Sequence, residues 1–148
     1  KIAQSLGWQD HRRAFAHYAM GRALQSGDQE AAHKQYQLAE LFYSRNPGTD
    51  LHRAYVATQL GAYAIATGDG AEALRLIGPH IETARRRENA ALLSTLLLLR
   101  AEALELENRV AEAQLVRLDS LGWARYGFGS DWAVRAKMRE IASLNPLK

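Results

Sequence analysis

The sequence predicts an all-α array of helical hairpins, and three observations carry that expectation. A helix, a short polar turn and a second helix opening on small residues recur in Ala16–Ala32, Ala57–Ala73 and Leu97–Ala113, at a period of about 40 residues. Apolar and small residues repeat at helical spacing, and no stretch keeps the strict alternation of a strand for long. Only three prolines, Pro47, Pro79 and Pro146, interrupt 148 residues. A composition of 47% hydrophobic and 24% charged residues is that of an ordinary folded domain, and the length suits one.

The first hairpin spans residues 12–46. Its first helix runs from Arg12 to Gln25, turns at Ser26-Gly27-Asp28, and the second helix continues to Ser44, where Asn46-Pro47-Gly48 stops it. Gly27 is expected to supply a left-handed cap and Asp28 the next N-cap. The second hairpin spans 50–87, with helices Asp50–Thr67 and Gly70–Arg87 about the turn Gly68-Asp69-Gly70. Pro79 lacks the N–H that would bond the Arg75 carbonyl, so a kink or break is expected there. The third hairpin spans 89–123, from Asn89 to Glu107, through Asn108-Arg109, to Leu121-Gly122-Trp123. A loop with Tyr126-Gly127-Phe128-Gly129 comes next, and Ser130 caps a last helix over 130–144 that Asn145-Pro146 ends. An unpaired last helix suits a capping element over the final apolar face. Ser5-Leu6-Gly7-Trp8 recurs as Ser120-Leu121-Gly122-Trp123, so residues 1–6 read as the tail of an upstream repeat and the chain as a piece of a longer protein.

Several function classes are disfavoured. The chain has no cysteine, which removes disulfides, thiol catalysis and thiolate metal sites. Its net charge is +3, from 19 Lys and Arg against 16 Asp and Glu, and these are scattered rather than gathered in the basic stripe of a nucleic-acid binder. The apolar run Ala90–Leu99 is about half the roughly 20 residues a membrane-crossing helix needs, and reads as a buried helix. The histidines His11, His17, His33, His52 and His80 have no i, i+3 or i, i+4 partner among themselves and form no HExxH, so no metal or other cofactor is expected. Gly127-Phe128-Gly129 comes after no strand and lacks the lysine of a phosphate loop. Arg85-Arg86-Arg87 reads as a solvated helix C-terminus that complements the helix dipole. Trp123, Tyr126, Phe128 and Trp132 form the densest aromatic patch, expected to seal the end of the core, with self-association as the other use. No nucleophile with a recognisable elbow and no catalytic carboxylate pair stands out, so the chain is not expected to be an enzyme. The compartment stays open between cytoplasm and periplasm.

Aligned on the turns, the copies resemble tetratricopeptide repeats over Arg12 to Trp123. Met20-Gly21-x-x-Leu24 with Ala32, Tyr36 and Ala39 matches the pattern in the first copy; Leu60-Gly61-x-x-Ala64 with Ala73 and Ile77 matches in the second. Arg100-Ala101-x-x-Leu104 with Ala113 is the third, most drifted copy. The first signature position, an aromatic in that family, holds His17, Ala57 and Leu97. The resemblance implies a right-handed superhelix in which Gly21, Gly61 and Ala101 face Ala32, Ala73 and Ala113, and whose first helices line a concave groove. It implies a lining of Tyr18, Arg22 and Gln25, then Tyr55, Thr58, Ala62 and Ile65, then Leu98, Glu102 and Glu105, which would hold a peptide or protein segment. Tyr18 and Tyr55 would anchor the segment, and the two glutamates would favour a basic patch on it. Arg22 is the one cation among those positions, a departure from members that clamp a C-terminal carboxylate. The function expected is a non-catalytic interaction scaffold. The alternative, from the likeness of a 40-residue period to the longer repeats of large bacterial transcription regulators, is a sensor domain for a small molecule.

Overall fold

The computed structural model describes residues 2–129 and 131–143. Among them are seven helices and no strand: α1 Ile2–Leu24, α2 Gln29–Ser44, α3 Asp50–Ala66, α4 Gly70–Arg86, α5 Ala90–Leu106, α6 Val110–Phe128 and α7 Asp131–Ser143. The expected Ser130 cap and the Asn145-Pro146 stop lie outside the described residues. By its contacts the chain divides inside α3, into a unit up to Leu60 and a unit from Gly61, and each is described by itself.

In the first unit α1 and α2 form a hairpin. Residues at helical spacing on α2, namely Ala32, Tyr36, Ala39 and Tyr43, are all buried. Asp28 caps α2 by accepting the Ala31 N–H at 2.9 Å, as its position after the turn predicts. Gly27 is not the left-handed residue expected, for the turn closes on Leu24, whose carbonyl accepts from Gly27 and Asp28 at 3.0 and 2.8 Å. Nearest to Gly21 is Tyr36, one turn past Ala32: a Cβ built on the glycine would lie 2.6 Å from Cε1 of the tyrosine. The missing side chain is the slot in which the tyrosine ring lies. Arg53 on α3 is joined to Glu40 on α2 through Nε and Nη2, at 2.9 and 2.6 Å. The helix is continuous through Ser5–Trp8, so no turn separates that motif from the remainder of α1.

The second unit is more regular. Gly68, Glu88 and Asn108, spaced 20 residues apart, are left-handed at φ 82°, 52° and 60°. The next residue in each turn donates its N–H back to the helix just ended, Asp69 to Ala64, Asn89 to Ala84 and Arg109 to Leu104, at 2.8–3.1 Å. Each turn is therefore a Schellman-type stop succeeded at once by an N-cap. Asp69 and Asn89 also cap with their side chains, to Glu72 and Leu92, whereas Arg109 does not. Half of the 40-residue period is thus one helix and one such turn. Gly61 meets Ile77, again one turn past the expected alanine; a Cβ there would lie 2.7 Å from its Cγ1.

α4 runs unbroken through Pro79, so of the kink or break expected there the break does not occur. Gly78 before it has no Cβ to clash with the proline ring, and both residues lie on the exposed side. The opposite face, Ala73, Ile77, Ile81 and Ala84, is buried. α5 carries leucines and alanines on nearly every side and is accordingly the most buried helix, with Arg100 its exposed exception between Leu92 and Leu104. No helix of the described residues is long and apolar enough to cross a membrane.

α5 and α6 close antiparallel like a zip. Ala101, Leu104 and Ala113 share one buried cluster, the small-residue crossing that the third copy predicts. Further along, the Ser120 hydroxyl donates to the Ser94 carbonyl at 2.8 Å, and Gly127 lies against the backbone of Ala90 and Ala91. α6 runs to Phe128, beyond the end expected near Trp123, and Gly129 at φ 70° terminates it. α7 then packs on α6.

Candidate functional site

Three of the groove positions that the resemblance implies, Tyr18, Arg22 and Gln25, gather about Tyr36 in the first unit. Tyr36, seated at Gly21, donates its hydroxyl to Oε1 of Gln25 at 3.0 Å and lies 5.8 Å from the ring of Tyr18, centroid to centroid. Burial pushes the Tyr36 hydroxyl up to about 12, opposed in part by the positive charge of Arg22. Burial also raises Tyr18, which the Arg22 charge lowers and Tyr55 on α3 raises. Arg22 on the same helix and Tyr55 on α3 are therefore each within electrostatic reach of Tyr18. Arg22 is exposed, Tyr55 is 40% exposed and Tyr18 half-buried. Gln25 differs in role: its side-chain oxygen holds Tyr36. Thr58 is buried, and its hydroxyl donates to the Tyr55 carbonyl at 2.7 Å, so it serves its own helix.

The positions in the second unit lie elsewhere. Ile65 is 2% exposed, Ala62 5% and Leu98 8%, all core residues. Glu102 is buried and Glu105 half-buried, and both accept from Arg117 on α6, with the Glu102 contact at 2.8 Å. The hydrogen bond to Glu105, then that to Glu102, raises Arg117 above the ordinary arginine value despite its partial burial. The chain thus supplies its own cation to the two carboxylates that the sequence reading offers to a basic ligand. Arg117 escaped that reading, although it stands one helical turn after the buried Ala113 and must face the same neighbour.

A concavity of about 650 Å3 is lined by Ala84, Arg85, Glu88, Leu93, Trp123 and Tyr126, among others. Arg85 leans toward Asp119 at 3.4 Å. Trp123 and Phe128 are half-buried, while Tyr126 and Trp132 are exposed, so the aromatic patch seals the core only in part. The reason is the longer α6, which carries Tyr126 outward on a helix instead of folding it back in a loop.

Histidines join the helices of the first unit. His11 and His52 meet edge to face at 4.9 Å, Tyr43 lies 5.1 Å from His52, and His17 stacks on Phe42 while bonding Gln35 at 2.7 Å. Burial lowers His33 and His52, and the nearby His11 lowers His52 further. The unfolded chain binds these protons near 6.5, whereas the folded chain resists them until lower pH, so acid favours the unfolded state. Stability is expected to be full above about pH 6.5 and to decline as pH falls from there toward the lowered folded values. Urea midpoints measured between pH 8 and pH 5 check this, and a midpoint that rises on acidification through that window contradicts it.

Compared with known family profiles, with curated proteins and with solved structures, the chain gives no significant match.

Proposed function

We propose that the chain is a non-catalytic protein-interaction module of the tetratricopeptide-like kind, recognising a peptide or protein segment through Tyr18, Arg22 and Tyr55. The observation that carries the reading is that Tyr18, packed on the buried Tyr36, has both Arg22 on its own helix and Tyr55 on α3 within electrostatic reach. Two tyrosines offer large, stiff contact area, and the exposed guanidinium beside Tyr18 favours a segment with an acidic group. Selection from a displayed peptide library, and then titration of the selected peptide, tests it. Tyr18→Ala, Arg22→Ala and Tyr55→Ala are each expected to weaken that peptide at least about tenfold, with circular dichroism unchanged. Selected peptides that bind all three variants as they bind the parent would remove the assignment.

The second reading, a small-molecule sensor of the kind found in large bacterial transcription regulators, draws support from the concavity beside Trp123 and Tyr126. Its volume lies within the roughly 300–1,000 Å3 of ligand sites, and it combines an apolar floor, two aromatic walls and a guanidinium. A metabolite that raises the melting temperature of the parent but not of Arg85→Ala or Trp123→Ala would favour it over the first.

A further inference from the structure

The second helices of the three hairpins share a register, set by the buried Ala32, Ala73 and Ala113. Two, five and thirteen residues after these alanines the first hairpin places Lys34, Gln37 and Arg45, and the second places Arg75, Gly78 and Arg86, all exposed. At the same places α6 carries Leu115, Leu118 and Tyr126, which are 69%, 67% and 86% exposed. Solvated positions have become an apolar stripe. Such a contiguous stripe is unusual on a face meant for water.

Gly122 lies within that stripe and is an independent sign. A glycine inside a helix is destabilising, so it needs a reason. Gly21, Gly61 and Gly127 have one, because in each a Cβ would meet a neighbour within 3 Å, and Gly78 precedes a proline. A Cβ on Gly122 would meet nothing within 4 Å. The notch is open, as it would be if another helix crossed there.

We propose that a second copy of this chain occupies the stripe, its α6 lying antiparallel to the first about a two-fold axis near residue 120. The order Leu115, Leu118, Gly122, Tyr126 is its own complement when turned end for end: Leu118 of each copy enters the Gly122 notch of the other, and Leu115 packs on Tyr126. A two-fold interface requires that each such pair occur twice from a single patch, and this order provides it. The flanking charges are already compensated within each copy, Glu112 by Arg109 at 2.6 Å and Asp119 by Arg85 at 3.4 Å, so docking strands neither carboxylate. One helix pair covers less than the roughly 800 Å2 per partner of a standard interface, so the dimer is weak, with a micromolar dissociation constant.

Sedimentation equilibrium of the full chain, from about 1 µM to about 1 mM, reads this directly. A monomer–dimer equilibrium is expected, weakened at least about tenfold by Leu118→Lys and by Leu115→Lys. Gly122→Leu separates association from folding: it fills the notch and weakens the dimer as much, while its melting temperature in dilute solution stays at or above that of the parent. Tyr18→Ala, in the other unit, leaves the dimer unchanged. A chain that stays monomeric throughout, or a dimer indifferent to all three α6 substitutions, overturns the proposal.

Discussion

Gly127→Ala is expected to destabilise the protein by about 2–3 kcal/mol, while the same change five residues earlier, Gly122→Ala, stabilises it by about 0.5–1 kcal/mol. Both glycines sit in α6, so helix propensity favours alanine at each. What differs is the neighbour. A Cβ at 127 would lie 2.6 Å from the Ala91 Cα and 2.7 Å from the Ala90 carbonyl carbon, closer still to the Ala91 nitrogen, and the first turn of α5 is backbone that cannot rotate away. The end of α6 must lift from α5, which breaks contacts down the zip. At 122 the methyl group enters open space. Urea unfolding in dilute solution reads both changes as shifts in midpoint, and an unchanged slope would mark them as changes in stability. Equal effects at the two positions would contradict the packing of Gly127 on α5.

Arg117→Ala is expected to cost about 2–3 kcal/mol, less than the roughly 3–5 kcal/mol of breaking a fully buried pair because the Arg117 side chain is 26% exposed and that of Glu105 27%. The cost falls mainly on Glu102, whose side chain is 8% exposed and loses the guanidinium that faces it across the α5–α6 seam. Arg117→Lys is expected to recover only part, since a single ammonium cannot span two carboxylates as the guanidinium fork does. Arg117→Met combined with Glu102→Leu should return most of the stability, because the buried carboxylate is then removed together with its cation. A double-mutant cycle over those two positions measures the coupling. Arg117→Ala within about 0.5 kcal/mol of the parent would mean that water already serves the glutamates.

Much of the architecture is legible in the residues. The turns announce themselves because Asp28, Asp69 and Asn89 bring their own acceptors to helix starts, and Gly68 brings its own tolerance of positive φ. Buried faces are visible as small and apolar residues at helical spacing, as in Ala73, Ile77, Ile81 and Ala84. These are local properties, settled within a few residues of each side chain. Local signals mislead where two of them compete. Pro79 suggests a break that the helical residues around it override, and the glycines at 127 and 129 hide the continuation of α6.

The candidate site divides along the same line. Tyr18 and Arg22 share a face of α1 by spacing, the resemblance adds Tyr55 to them, and the fold sets Tyr18 against Tyr36 with Tyr55 in electrostatic reach of it. For Leu98, Ile65, Glu102 and Glu105, spacing identifies a helix face but not what covers it. The covering comes from elsewhere in the chain: Arg117 reaches the glutamates from 12 and 15 residues away, and Gly127 meets Ala91 across the whole length of the α5–α6 hairpin. Helices, turns and the repeat are determined by the sequence alone, because hydrogen bonding, capping and backbone sterics act over one or two turns. Which faces remain for a partner is decided only by tertiary packing, because exposure depends on the helix that lies opposite, and no local rule contains that helix.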